Sequence, residues 1–260
     1  MIQSGKGGGS FKTTATWGLS TWLSKVAKNC KVLVIENEGN STMSGCMGAD
    51  FNNSPTLYHI YSGAASLEEA IQETSMGHII SGNSTVEKIP AFFSNDVLEG
   101  AKALKYLMPE IEKMGFTHVI IDNAASVGSM LNLQSMLASD DIVVPYHPDP
   151  GHLQAFTNFI KSFAEAKSFN PKLRIDGILI GNLRRPITHN HRKYVGEIAK
   201  WSEHLKVRIY DTIIRSAIAV QTAQGNMETL WDKFPKENVT TDFERFILEY
   251  MATEGKNNDQ

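Results

Sequence analysis

Cysteine is scarce: Cys30 and Cys46 are the only two. Two thiols cannot build a multi-bridge disulfide framework or a four-cysteine metal site. They read as small core residues rather than iron–sulfur ligands, and their scarcity fits a reducing cytoplasm. Long apolar runs are missing as well, since nothing approaches the ~20 residues needed to cross a bilayer. The N-terminus is glycine-rich and polar, without the basic-then-apolar order of a secretory leader. A cytoplasmic protein with no membrane association is the expectation. The net charge of −3 carries no global basic signature, so any nucleic-acid binding must come from a local patch. His189 and His191 have no third ligand in view, which argues against a zinc site there. Low-complexity linkers are absent. Residues 1–252 are therefore expected to form a single domain, with 253–260 as a disordered polar tail.

Short apolar runs alternate with amphipathic stretches along the 260 residues. Lys31–Ile35, His118–Ile121, Asp141–Val144, Ile175–Ile180 and Val207–Thr212 read as strands, with weaker candidates at 79–80 and 88–89. Helical spacing marks Thr13–Lys28, Asp96–Gly115, Leu131–Ala138, Leu153–Phe169, His191–His204 and Phe243–Met251. Ser66–Glu73 reads as a short helix with Ser66 as cap and Glu69 closing a capping box. Apolar strands alternating with helices predict an α/β fold, a mostly parallel twisted sheet with helices on both faces. In such sheets ligands sit beyond the carboxyl ends of the strands, where the polar residues are Glu36, Glu38, Asp122 and Asn182.

The segment Ser4-Gly-Lys-Gly-Gly-Gly-Ser-Phe-Lys-Thr-Thr14 opens the first helix. Glycines let successive N–H groups face an anion without a Cβ in the way, and the helix start adds its own free donors. Gly7, Gly8, Gly9, Ser10, Phe11, Lys12, Thr13 and Thr14 are thus a candidate phosphate cradle. Lys12 would meet the β/γ-phosphates and Thr13 would ligate Mg²⁺. The spacing departs from G-x-x-x-x-G-K-[ST], because Lys6 and Phe11 stand where that pattern has glycines. Asp122 ends a buried strand, where an uncompensated carboxylate is costly. Holding Mg²⁺ through water accounts for it, and a helix cap is the alternative. Only Met1–Ser4 precede the loop, so its strand is either very short or begins upstream.

Several blocks then fall in one order. Lys6-Gly-Gly-Gly-Ser-Phe-Lys12-Thr-Thr resembles the K-G-G-x-G-K-T-T loop of the ParA/Soj/MinD deviant Walker A ATPases. Val32-Leu-Val-Ile-Glu-Asn-Glu-Gly-Asn40 is similar to that family's strand ending in D-x-D-P-Q-G-N. Phe116–Ser126 is similar to Y-D-Y-I-I-I-D-x-P-P-S, Val144–Pro148 to I-P-V-x-P, and Ile213–Ser216 to I-P-R-[NS]. Thr56–Ile71 also resembles a family stretch, and the ParA/Soj partition branch fits best.

The resemblance implies a P-loop NTPase-like fold, with ATP and Mg²⁺ as cofactors and slow ATP hydrolysis within a sandwich homodimer. A gapless count from Lys12 places the water-orienting acid on Glu36, with Glu38 as the equivalent if the turn is shortened. Lys6 would act in trans on the partner's γ-phosphate, as an arginine finger does; a solvated loop lysine is the other reading. Asn182 falls where the family reads adenine, an edge an amide can both donate to and accept from, although a turn residue is the competing reading. Arg215 is implied to reach the nucleotide. Arg184, Arg185, Arg192, Lys193 and Arg215 would form a non-specific double-stranded DNA surface. A ParB-like or other adaptor would stimulate turnover, with nucleoid association and plasmid or chromosome segregation as the implied role. A degenerate-loop nucleotide switch and a conjugation or mobilisation ATPase remain alternatives.

Overall fold

The computed structural model describes residues 1–6, 9–123, 128–184 and 186–257. In chain order, the first part runs α1 (Lys12–Lys25), β1 (Val32–Asn37), α2 (Thr42–Met47), α3 (Leu57–Tyr61), α4 (Leu67–Ala70), β2 (Ile71–Thr74) and β3 (Gly77–Ile80). A 3-10 turn at Val86–Lys88 leads to α5 (Ile89–Phe92), α6 (Val97–Lys113), β4 (His118–Asn123) and α7 (Met130–Ala138). The remainder is β5 (Asp141–Tyr146), α8 (Pro150–Phe169), β6 (Arg174–Ile180), α9 (His189–Leu205), β7 (Arg208–Ile209), α10 (Ile218–Gly225), α11 (Leu230–Lys233) and α12 (Asn238–Asn257).

Strands pair in the orders β2-β3-β1-β4 and β5-β6-β7, parallel throughout except for the β2–β3 hairpin. Met1–Gln3 lies between the two groups and stitches them together. Ile2 N–H donates to the Ile121 carbonyl at 3.1 Å, Gln3 N–H to the Val143 carbonyl at 3.1 Å, and Val143 N–H to the Met1 carbonyl at 3.0 Å. The phosphate loop hangs directly from these residues. Beside it lies a cavity of about 1030 Å³ whose walls include Leu19, Leu23, Ile120 and Tyr250.

β1 shows why the sheet is covered on both sides. Val32 and Val34 join Trp17, Met43, Phe243 and Phe246 on one face, and Leu33 and Ile35 join Ile80, Leu104 and Ile121 on the other. Successive side chains point to opposite faces, so a strand apolar at every position needs two packed layers. The same holds for β5 and β6, whose Val144, Ile178 and Ile180 pack on Phe156 and Phe159 of α8.

Several expected boundaries shift. The helix at Ser66 keeps its capping box but stops at Ala70, because Ile71–Thr74 pairs antiparallel with β3. Lys88 and Ile89 form no strand; Pro90, which has no N–H, sits in the first turn of α5. β7 keeps only Arg208 and Ile209 of the expected Val207–Thr212. α12 is longer than Phe243–Met251 at both ends and continues through the expected tail to Asn257. Its C-terminal part is pinned by polar contacts, since Thr253 Oγ1 donates to Asp176 at 3.2 Å and accepts from Arg208 at 3.0 Å.

Candidate nucleotide site

Beyond the strand ends, a cavity of about 370 Å³ is lined by Gly9–Thr14, Glu38, Asn40, Thr42, Asn182 and the segment from Ile214 through Gln224. Gly7 and Gly8 of the expected cradle lie outside the described residues. Lys12 opens α1 and is 6% exposed. Its ammonium donates to Ser10 Oγ at 3.0 Å and to the Lys6 carbonyl at 3.2 Å. Burial lowers its pKa, opposed by Asp122 and then Glu38.

Phe11 takes the place where a glycine is usual and adopts the left-handed φ of 64° that glycine would supply. For an L-residue this costs roughly 1–2 kcal/mol. The ring does not crowd the turn. It lies over Gly181, where a Cβ would collide with it, and 6.2 Å from the Phe243 ring.

Asp122 is fully buried at the end of β4. Thr16 Oγ1, one helical turn beyond Lys12, reaches its Oδ1 at 3.1 Å. Oδ2 has no partner among the described residues. Burial raises the Asp122 pKa to about 7. Thr13 and Lys12 oppose that rise, while Glu36 and Glu38 add to it. A dry carboxylate with a spare oxygen beside a threonine hydroxyl suits a hard divalent cation, which prefers oxygen ligands. Among the described residues no group of three His, Cys, Asp or Glu could hold a metal. A cation here would complete its shell with phosphate and water.

The two acids of β1's end differ sharply. Glu36 is fully buried, and its carboxylate accepts from Met43 N–H at 2.7 Å, Ser44 N–H at 3.1 Å, Gly82 N–H at 3.1 Å and the Ser44 hydroxyl. It clamps the start of α2 to the chain after β3. Burial raises its pKa against those donors. The expectation that Glu36 orients water does not fit, because its oxygens are occupied and it does not line the cavity. Glu38 does line it, half-buried, with Asn40 donating to its Oε1 at 2.6 Å. Burial raises Glu38, and Lys12 opposes the shift. Glu38 is thus the acid of this turn that faces the cavity.

A protein-family model described as "AAA domain" matches residues 1–175. The chain belongs to the AAA domain family. The chromosome-partitioning ATPase Soj of Thermus thermophilus is 23% identical over 248 residues, which are 94% of this chain and 92% of that protein. Apo McdA of Cyanothece superposes with a TM-score of 0.83 at 18% identity, covering 96% of this chain and 97% of that one. Cobyrinic acid a,c-diamide synthase from Mycobacterium smegmatis, with bound ADP and magnesium, gives 0.80 at 18% identity, covering 96% and 92%. These findings support the resemblance to the ParA/Soj/MinD group and the P-loop NTPase-like fold.

Other expected site residues of this AAA domain scatter. Asn182 lies on the cavity wall, exposed, with a left-handed φ of 56°. Arg215 also lines the cavity, but its Nε and Nη2 meet Asp242 of α12 at 2.6 and 2.8 Å. That bidentate pair holds the guanidinium, expected on a DNA surface, against α12. Arg184, Arg192 and Lys193 are exposed, and Arg185 lies outside the described residues. Lys6 points away from the cavity onto the start of α8. Sequence reasoning missed Thr16, although the i, i+4 step from Lys12 marks it. It also missed Asp242, for which no local signal exists. None of the described helices is long and apolar enough to cross a membrane.

Proposed function

We propose that the chain is a ParA-like ATPase that binds ATP and Mg²⁺ in the 370 Å³ cavity and hydrolyses ATP as a sandwich homodimer. The observation that carries this reading is the pairing of Lys12 and Thr13 on the cavity wall with a buried Asp122 oxygen that has no partner among the described residues. Lys12 leaves Ser10 and the Lys6 carbonyl to bind the β/γ-phosphates. Thr13 and, through water, Asp122 hold the metal. When bound, Mg²⁺ neutralises charge on the phosphates, and the protein's remaining task is positioning. Glu38 orients the attacking water, because it is the acid on the cavity wall. Asn182 meets the base, and Lys6 of a second copy adds positive charge at the γ-phosphate.

Arg184, Arg192 and Lys193, with Arg185, would contact DNA phosphates without base readout. Two such patches in a dimer bind one duplex far more strongly than either alone. A ParB-like adaptor that stimulates turnover, and a role in DNA segregation or cargo positioning at the nucleoid, complete the proposal. Calorimetry with ATP·Mg²⁺ on the wild type and Lys12→Ala tests its base: equal affinity removes the phosphate-cradle reading.

A nucleotide switch with little turnover is the second reading. The Glu38–Asn40 bond favours it, since an acid already engaged orients water poorly. Phosphate release under saturating ATP, with and without DNA, separates the two.

A further inference from the structure

Lys6 is engaged at both ends. Its carbonyl accepts from Lys12 Nζ at 3.2 Å, and its own ammonium lies 3.3 Å from Asp149 Oδ2 and 3.3 Å from His152 Nδ1. The receiving groups are a built site. Asp149 caps α8 by accepting from His152 N–H at 2.7 Å, and its Oδ2 lies 2.9 Å from His152 Nδ1. His152 is 4% exposed, and its Nε2 has no partner among the described residues. The loop lies this close because Gly5 carries no side chain, and Gly151 leaves room for the Lys6 ammonium. A Cβ on Gly5 would collide with the Ala155 carbonyl, and one on Gly151 would sit 3.0 Å from Lys6 Nζ. Burial pushes Asp149 up, but His152 and Lys6 together pull it down to about 2, so a carboxylate faces the ammonium at neutral pH.

We propose that Asp149 and His152 are positioning residues that park Lys6 in its own subunit and release it when nucleotide draws Lys12 off the Lys6 carbonyl. The proposal rests on the reading that Lys6 acts in trans. An ammonium paired to its own Asp149 presents less net charge to a second copy's phosphate, so the pair must open before the sandwich closes. Lys12 supplies the trigger. It cannot bind phosphate and keep both Ser10 and the Lys6 carbonyl, so occupancy of one cavity loosens the residue destined for the other. Free subunits without nucleotide therefore do not offer Lys6.

Asp149→Asn tests this, because asparagine caps a helix as well as aspartate but removes both the charge and the oxygen that accepts from Lys6. Dimerisation is followed by sedimentation velocity with ATPγS and Mg²⁺ for wild type, D149N, K6A and the double variant, with circular dichroism confirming the fold. D149N is expected to dimerise about two- to fivefold more tightly, the scale of a half-exposed ion pair. K6A is expected to dimerise more weakly, and D149N to add nothing in the K6A background. Unchanged or weaker dimerisation of D149N, with K6A still impaired, overturns the parking role while leaving the trans reading in place. K6A indistinguishable from wild type in both dimerisation and turnover overturns the trans reading and the proposal with it. An additive effect of D149N on K6A, or no dimer for any variant, likewise overturns the proposal.

Discussion

Glu36 and Glu38 stand two residues apart at the end of β1 but belong to different regions. Glu36 sits beneath α2, fully buried, and is saturated by three N–H groups and a hydroxyl. Glu38 stands on the cavity wall with one amide on its carboxylate and Lys12 opposing its raised pKa. Identical side chains thus acquire different work from what surrounds them. A carboxylate with both oxygens engaged by the chain holds a loop together, and one with an oxygen to spare can act on a ligand.

The largest expected effect breaks this contrast most directly. Glu38→Gln should lower turnover by about 10²–10⁴-fold if it orients water, with thermal stability nearly unchanged. Phosphate-release kinetics beside a melting curve check both halves. A Glu38→Gln protein with full turnover would put Glu38 outside the reaction. Glu36→Gln should do the reverse, destabilising the fold by about 1–3 kcal/mol because an amide turns a donor toward donors. Denaturant titration measures this. A stable Glu36→Gln protein with no turnover would collapse the distinction.

A pH series sharpens the same comparison. The Asp122 pKa is raised from 3.8 to about 7, so the folded state holds its proton more tightly than the unfolded chain does. Stability from this group is therefore full below about pH 4 and is lost as pH rises through about 7, by up to about 4 kcal/mol. The raised pKa of buried Glu36 acts in the same direction. Melting curves of wild type and Asp122→Asn between pH 4 and 8 should converge for the acid form and separate above it. Mg²⁺ should restore stability at pH 8 in the wild type alone.

The smallest expected effects lie at the surface. Arg192→Glu with Lys193→Glu should weaken binding of random duplexes uniformly and flatten the salt dependence by about 0.9 per lost phosphate contact. Arg215→Ala should instead cost stability, because it strips the charge partner from buried Asp242. Fluorescence anisotropy at two salt concentrations separates the two outcomes.

The main strands were legible because apolar runs such as Val32–Ile35 have one explanation, burial on both faces. Their polar ends were not. β1 continues to Asn37, whose amide donates to the Leu131 carbonyl at 2.8 Å and Ser135 Oγ at 2.9 Å, partners that periodicity cannot show. In the site, the glycine-rich loop with Lys12 and Thr13, and the strand-end Asp122, announce themselves by position. The choice between Glu36 and Glu38 hangs on the length of one turn, and of the two Glu38 lines the cavity. Lys6 with Asp149 and Arg215 with Asp242 are pairings across the fold that no local pattern encodes. The helix expected from Leu153 in fact starts at Pro150, capped by Asp149.

The three backbone bonds of Met1–Gln3 have a mechanical consequence. They join β4 to β5, and the loop carrying Lys6 and Lys12 begins at their end. Tension in that loop is borne by a joint a few residues long, with a large void at its flank. Amide deuteration at Ile2, Gln3 and Val143 should accordingly outpace that of β1 by orders of magnitude, and slow when a ligand pulls the loop taut. The sheet behaves as two plates on a short rivet, and the rivet is also the handle by which a phosphate would grip them.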